Sequence, residues 1–412
     1  MAEANRVTVI GGGSSGMMAA ISAARSGAAV MLLEARDRVG KKLLVTGNGR
    51  CNLSNADCAL SRFHGGDPGF VARVLSAFPV VDTLDFFEKL GVACKTEDEG
   101  KIFPQPDQAS AVLDLLRFEL ERLEVDVRTG HEVRRIVPGA GGFTLPLAAG
   151  GELQAGRVIL AAGGAAGPQF GSDGAGFRLG RDAGHRVIEP LAALVPLRLR
   201  GDGLRKLKGV KFIGRAEIRC GPEVLRRESG EILFTDNGVS GPPVLQLSRA
   251  ASVALRDHRE PQIVLDLFPG LDLEQLDAAL AGRFRQQGEK TLAFGLVGLL
   301  NKRLIPVVLA AAGVADPDIS CAALPAGERK RLAALLKGWP FPVAGTQPWP
   351  QAQVTAGGIA LDEVNPDTLE SRLVPGLFFC GEVLDVDGDC GGFNLQWAWS
   401  SGQVAGRHAA GS

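Results

Sequence analysis

Apolar and polar positions divide this chain into stretches of different period. The run Val7-Thr8-Val9-Ile10 stops at a block of glycines, an alanine-rich stretch with helical spacing follows to about Arg25, and a second apolar run over residues 29–33 ends at Glu34. The pattern predicts a strand, a turn, a helix and a second strand. Helical patterns recur over residues 70–90 and 109–123. Residues 125–128, 131–137 and 157–160 read as strands, the last stopped by Ala161-Ala162-Gly163-Gly164. From about Pro190 the period shortens to alternation over residues 194–200, 210–220 and 231–235, which predicts a small antiparallel sheet or barrel. Residues 271–339 read as helical, with Leu276, Leu280, Leu292, Leu296 and Leu299 among the apolar positions, and Pro340, Pro342, Pro348 and Pro350 mark a return linker. Residues 354–412 bring back glycine turns, a strand over 376–380 and a final helix from about Asn394. The expected fold class is therefore α/β. A two-part Rossmann-like nucleotide-binding domain (residues 1–190 and 351–412) is interrupted by a β-barrel-like domain (191–270 and 340–350) and a helical subdomain (271–339).

The first unit carries the most specific chemistry. Gly11, Gly13 and Gly16 have the G-x-G-x-x-G spacing, which allows a tight bend, close backbone approach to a pyrophosphate, and packing of helix against strand. Ser14 and Ser15 then open a helix whose N-terminus attracts an anion. Glu34 lies eighteen residues past Gly16, where a carboxylate accepts ribose hydroxyls. Strands, helix and acid together make dinucleotide binding the expectation, where the glycines alone would not.

Composition narrows the setting. With 45 Lys+Arg against 46 Asp+Glu, the net charge of −1 gives no overall field toward nucleic acid or an anionic membrane. The seven cysteines (51, 58, 94, 220, 321, 380, 390) form no C-x-x-C pair and suit a reducing compartment. The first strand begins within about six residues, without a signal-peptide pattern, and the apolar stretch 292–315 is broken by Asn301-Lys302-Arg303 and Pro306. The expectation is a cytoplasmic protein with a small-molecule substrate and neither nucleic-acid nor membrane partners. No metal site is expected. The acids at 385, 387 and 389 lack the glycine and terminal acid of a calcium loop, and the five histidines lack zinc spacing.

A single glycine fingerprint at the start, a mid-chain Ala-Ala-Gly-Gly and a late Gly381-Glu382 favour FAD over NAD. The resemblance then becomes specific. Gly40-Lys41-Lys42, the stretch Thr46-Gly47-Asn48-Gly49-Arg50-Cys51-Asn52, TDNGVSGPP from Thr235, Thr355-Ala356-Gly357-Gly358 and GEVLDVDGDCGGFNLQWAW from Gly381 resemble the BaiN/YhiN family of FAD-dependent oxidoreductases along essentially the whole chain. The resemblance implies a discontinuous FAD domain with a barrel and helical insertion, and named activities as different as steroid enone reduction and aminoketone oxidation. Members often carry a histidine after Phe-Thr where this chain has Asp236.

Residue roles follow, first from the residues and then from the resemblance. Ala35, Arg36, Lys41 and Lys42 lie on the loop expected over adenosine and pyrophosphate, where cations offset phosphate charge. Gly47, Gly49, Arg50, Cys51 and Asn52 resemble a flavin-proximal loop, in which Arg50 or Asn52 donates to cofactor oxygens; Cys51 reads better as a packing residue than as a redox thiol. Similarity to other flavoproteins implies that Val133 offers backbone groups to adenine and that Ala162, Gly163 and Gly164 pack against the cofactor. Glu382 and Asp385 supply acids near the ribityl and pyrophosphate region. Gly391, Gly392, Phe393, Asn394 and Leu395 start a helix whose N–H groups stabilise negative charge on the reduced flavin. Thr355, Gly357 and Gly358, with Asn52, are the catalytic candidates at the flavin face, and Trp397 and Trp399 are expected to pack the last helix.

The leading expectation is a hydride-transferring oxidoreductase with substrate held between flavin and insertion. Without a second glycine fingerprint, NAD(P)H is expected as a transient donor, or another donor serves. The rivals are an oxidase of a small amine or aminoketone, and a non-catalytic flavin-binding sensor or interaction protein.

Overall fold

The structure is a computed structural model and describes residues 6–411. The chain forms two compact units. One runs up to Ala192 and resumes at Trp349, and the other is Ala193–Pro348.

The first unit is built on a five-stranded parallel sheet. Strand β1 (Arg6–Ile10) lies at its centre, flanked by β2 (Ala29–Glu34) and by the strand Arg157–Leu160; Asp126–Thr129 and Leu377–Phe379 form the two edges. Val7 and Val9 are buried, as a central parallel strand requires. Helix α1 (Ser14–Arg25) connects β1 to β2, whereas the strand paired on the other side of β1 comes from far along the chain. The sheet order therefore reverses beside β1, and in open α/β sheets ligands bind outside the strand C-termini at such a point.

Helix α1 is buried from Ser15 through Ala23, because the final helix, Phe393–Ala409, covers what the sheet leaves open. Small residues bring the two helices together. A Cβ on Gly402 would stand 2.5 Å from the Ser15 carbonyl oxygen, one on Gly406 would stand 2.3 Å from that of Ala19, and Ser22 Oγ donates to the Gln403 carbonyl at 2.8 Å. Trp399 and Trp397 are buried, and their indole N–H groups donate to the carbonyls of Leu53 and Gly381. The 70–90 pattern resolves into two helices, Pro68–Ala77 and Val80–Lys89, broken at Pro79, which cannot donate a helical hydrogen bond.

The second unit closes six antiparallel strands into a barrel in the order Leu197–Leu199, Gly238–Ser240, Glu223–Phe234, Lys211–Cys220, Gln262–Asp266 and Trp339–Thr346, which pairs back to the first. Phe234, Trp339 and Phe341 fill it, with ring centroids 4.8–6.4 Å apart. Pro340 and Pro342 lie inside a barrel strand, not in the linker that proline spacing suggested. They alternate with the buried Trp339, Phe341 and Val343; Val343 donates to Pro261, and Pro342 needs only to accept, from Arg200. The helices Leu273–Gln286, Leu304–Ala311 and Ala326–Lys337 share one apolar core with the barrel. Among the described residues, no helix is long and apolar enough to cross a membrane.

Helix propensity alone would favour Gly406→Ala by about 1 kcal/mol. The contact with Ala19 reverses the sign, and overpacking is expected to lower stability by about 1–3 kcal/mol, read as a lower denaturant midpoint.

Candidate functional site

The Gly11–Gly16 turn sits at the point where the sheet order reverses. Gly11 adopts φ +108°, its N–H donates to Leu33, and a Cβ there would stand 2.5 Å from the Ala161 carbonyl. A Cβ on Gly16 would collide with the Gly11 carbonyl at 1.8 Å. Only Gly13 faces open space: no atom lies within 4 Å of where its Cβ would be. It is also the N-cap of α1, with no side-chain cap and no acid in the first turn. The first-turn N–H groups therefore point past an open position at the positive end of the helix, a setting that fits a phosphate.

Glu34 frames the same turn. One carboxylate oxygen accepts from Gly12 N and the other from Arg36 N, both at 2.8 Å. Ala35 and Arg36 continue from it; Arg36 reaches the Pro168 carbonyl at 3.1 Å and Asp173 at 3.4 Å. His131 N donates to the Glu34 carbonyl, which brings the segment of the buried Val133 alongside.

The C-terminal return arrives on the other side of the turn. A Cβ on Gly381 would stand 2.3 Å from Ser15 Oγ, and Gly381 N donates to Ser401 Oγ at 2.9 Å. Glu382 pairs with Lys42 at 2.7 Å and accepts from Thr355 N at 2.7 Å. Thr355 is wholly buried, and its Oγ1 accepts from Ala165 N (2.8 Å) and Ala166 N (3.0 Å), just past Ala162, Gly163 and Gly164. A Cβ on Gly164 would meet Thr355 Oγ1 at 2.4 Å. The structure thus joins Ser15, Lys42, Gly164, Thr355, Gly381 and Glu382 in one cluster. Gly357 and Gly358 answer to backbone packing: a Cβ on either would stand 2.4–2.7 Å from Glu189 or from Val383 and Leu384. Lys41 pairs with the exposed Asp37. Asp385 lines a cavity of about 340 Å³ together with Gly66, Asp67, Arg186 and Asp362.

The loop at 47–52 has left-handed backbone at Gly47, Asn48, Gly49 and Cys51. Arg50 stacks 4.0 Å over the Phe103 ring and donates to Asp107 (2.7 and 2.9 Å) and to Glu97, so it clasps the loop. Asn52 turns inward. With its amide nitrogen toward the Ser54 carbonyl (3.2 Å), its oxygen accepts from Gly392 N (3.1 Å), at the N-cap of the final helix. Asn55 holds the Gly391 carbonyl at 2.8 Å, and Asn394 brackets Gly388 through both amide groups. Phe393 packs edge-on against Phe63, and Leu395 is partly buried. The final helix has no acid in its first turn, so its start is a second positive end.

Sequence reasoning missed Ser401, which holds Gly381, and Ser172, which holds the Gly164 carbonyl at 3.1 Å. A serine in a helix or loop carries no pattern that announces such a partner. Burial drives the Cys51 and Cys380 thiols up to about 12.

The family model described as the HI0933-like protein Rossmann domain matches residues 5–408. The chain belongs to this HI0933-like family. It is an FAD-dependent oxidoreductase with a Rossmann-like FAD-binding domain and an inserted barrel. It is 40% identical over 408 residues to the 3-dehydro-bile acid delta(4,6)-reductase of Clostridium scindens, covering 98% of this chain and 99% of that one. It is 32% identical over 401 residues to the ribosomal RNA dihydrouridine synthase of Escherichia coli, covering 95% of each. In fold it is similar to the 3-ketosteroid delta1-dehydrogenase of Sterolibacterium denitrificans, with a TM-score of 0.51, 14% identity and coverage of 99% and 100%.

Removing both charge-assisted contacts with Glu34→Ala is expected to weaken FAD retention roughly 10- to 100-fold, at about 1.5–3 kcal/mol for hydrogen bonds to a charged group. Cofactor fluorescence released on dilution measures it. Because Cys51 and Cys380 stay protonated well above neutral pH, iodoacetamide at about pH 8 is expected to leave both unlabelled in the native protein and to label them after denaturation. Mass spectrometry of the peptides reads the outcome.

Proposed function

We propose that the protein reduces a carbon–carbon double bond conjugated to a carbonyl, with NAD(P)H as the transient donor. The observation that carries this reading is full-length identity of 40% to a bile-acid delta(4,6)-reductase. The second relative supports the same class. Making dihydrouridine from uridine also adds two hydrogens across a double bond conjugated to a ring carbonyl.

Bound FAD would supply the hydride. The chain's own residues bind and orient it. Ser14, Ser15 and the open backbone at Gly13 would hold the pyrophosphate and Glu34 the adenosine ribose, and Lys42 balances Glu382. The start of the final helix at Phe393 and Asn394, tied down by Asn52 through Gly392 N, would hold the flavin end, where fixed N–H donors would favour the charge that builds during reduction. Thr355 acts by bracing the Ala165–Ala166 turn, and Arg50 by closing the loop that presents Asn52.

The test is anaerobic. The purified holoprotein is mixed with NADH and with NADPH, and then with a 4-ene-3-ketosteroid or its saturated ketone. The expected outcome is bleaching of the flavin band by one nucleotide and reoxidation at least tenfold faster by the enone. Flavin that stays oxidised with both nucleotides overturns the donor, and equal reoxidation by enone and saturated ketone overturns the reaction class.

A further inference from the structure

The His185 side chain is wholly buried against the edge strand Leu377–Phe379, and nothing in the candidate site uses it. Its ring stands edge-on to Phe379, with centroids 4.7 Å apart. His185 follows the helix Ala175–Asp182 and donates its N–H to the Gly180 carbonyl, so one element delivers the ring and another supplies its polar partners. Those partners are Ser371 and Glu363, on the strap of residues 360–376 that leads into the edge strand.

The hydrogen bonds fix the tautomer. Ser371 Oγ accepts from Leu373 N at 3.0 Å and from Val374 N at 2.8 Å, which engages both lone pairs. Its one hydrogen therefore goes to His185 Nε2, 2.8 Å away. Nε2 is then the acceptor, and the ring proton sits on Nδ1, 3.2 Å from a Glu363 oxygen but without an aligned hydrogen bond. Serine, histidine and glutamate here stand in the order of a hydrolytic triad. The Ser371 oxygen is buried and has no lone pair left for attack, so it is not a nucleophile.

A second proton can enter the ring only at Nε2. It ends the donation from Ser371, sets an N–H against an oxygen whose lone pairs are taken, and leaves the Ser371 hydrogen without an acceptor. Burial pushes the His185 imidazole below its ordinary value, and the Glu363 carboxylate opposes this without overcoming it. The other charged groups around it are engaged elsewhere. Arg186 pairs with Asp362 at 2.6 Å, Glu370 accepts from Gly376 N at 2.7 Å, and Arg372 reaches the Val364 carbonyl at 3.3 Å, while Arg181 and Asp182 at the helix end are exposed. Opening the strap therefore takes up a proton. The strap is held above the ordinary histidine value of about 6.5 and is released progressively as pH falls below it.

The strap is bonded to the strand that reaches the site. Ser371 N donates to Leu377 and Phe379 N to Leu369, and Gly381 and Glu382 follow two and three residues past Phe379. We propose that His185 and Ser371 form an acid-released latch: protonation at Nε2 opens the strap, loosens the strand behind Gly381 and Glu382, and frees FAD. The latch rests on FAD binding alone and is independent of which substrate the flavin reduces.

The test uses the FAD-loaded protein between about pH 7.5 and 5.5, where carboxylates stay ionised. Protein-bound flavin remaining after rapid filtration gives the release rate. One proton taken up at an ordinary histidine favours opening by at most about tenfold over this range, so release about three- to tenfold faster at the lower pH is expected. H185Q, whose amide oxygen accepts from Ser371 but takes up no proton, is expected to release FAD at the parent's higher-pH rate throughout. Amide hydrogen exchange of the parent, corrected for its intrinsic pH dependence, gives a readout that needs no variant. Residues 360–379 are expected to lose protection at the lower pH while the central strand Arg6–Ile10 keeps it. Release that changes less than about twofold with pH, a pH dependence that survives in folded H185Q, protection of the strap that is the same at both pH values, or loss of protection in strap and central strand together overturns the proposal.

Discussion

The contact between the Gly11 turn and the strand end at Ala161 constrains everything around the candidate site. Two chain segments that are neighbours only in space meet there, with no room for a Cβ between them. That closeness holds the end of β1 against the next strand and aims α1 across the top of the sheet. Glu34, Ser15, Gly381 and Glu382 are then placed by short connections from strands whose register is already fixed. A larger residue at Gly11 would face the φ of a left-handed turn as well as the collision.

The starts of two helices among the candidate site residues, from different parts of the sequence, are both left as positive ends. Each lacks a capping side chain and an acid in its first turn, and each begins behind a glycine. Their long-range hydrogen bonds run through small or amide side chains such as Ser401, Asn52 and Asn55, which add no charge of their own. Cations near the site are matched by acids: Lys42 by Glu382, Lys41 by Asp37 and Arg50 by Asp107. Local charge is thus close to balanced, while each helix end adds the positive end of its dipole.

The first strand, turn, helix and acid were legible because that geometry needs particular residue types at fixed spacing. The barrel was legible as alternation, and the Rossmann-like unit split by an insertion followed from the return of glycine turns after residue 354. Contacts set by tertiary packing were not legible. Nothing local distinguishes Arg50, held by Glu97 and Asp107, from an arginine that reaches a ligand, and Thr355 looks reactive until its hydroxyl is seen accepting from two backbone N–H groups. Pro340 and Pro342 misled because proline rules concern which ladder side lacks a donor, and that side is known only once the neighbouring strand is placed.

The final helix has a consequence for how the protein is made. The barrel strands all lie between Leu197 and Thr346, so that unit has its whole sequence before the ribosome reaches the return segment. The first unit waits much longer: the strand Leu377–Phe379 and the helix that covers Ser15 through Ala23 follow the whole inserted unit in the chain. Until that return segment is made, helix α1 therefore keeps an uncovered apolar face. Synthesis order completes the inserted unit before its host, and leaves the nascent host dependent on protection until the return segment arrives.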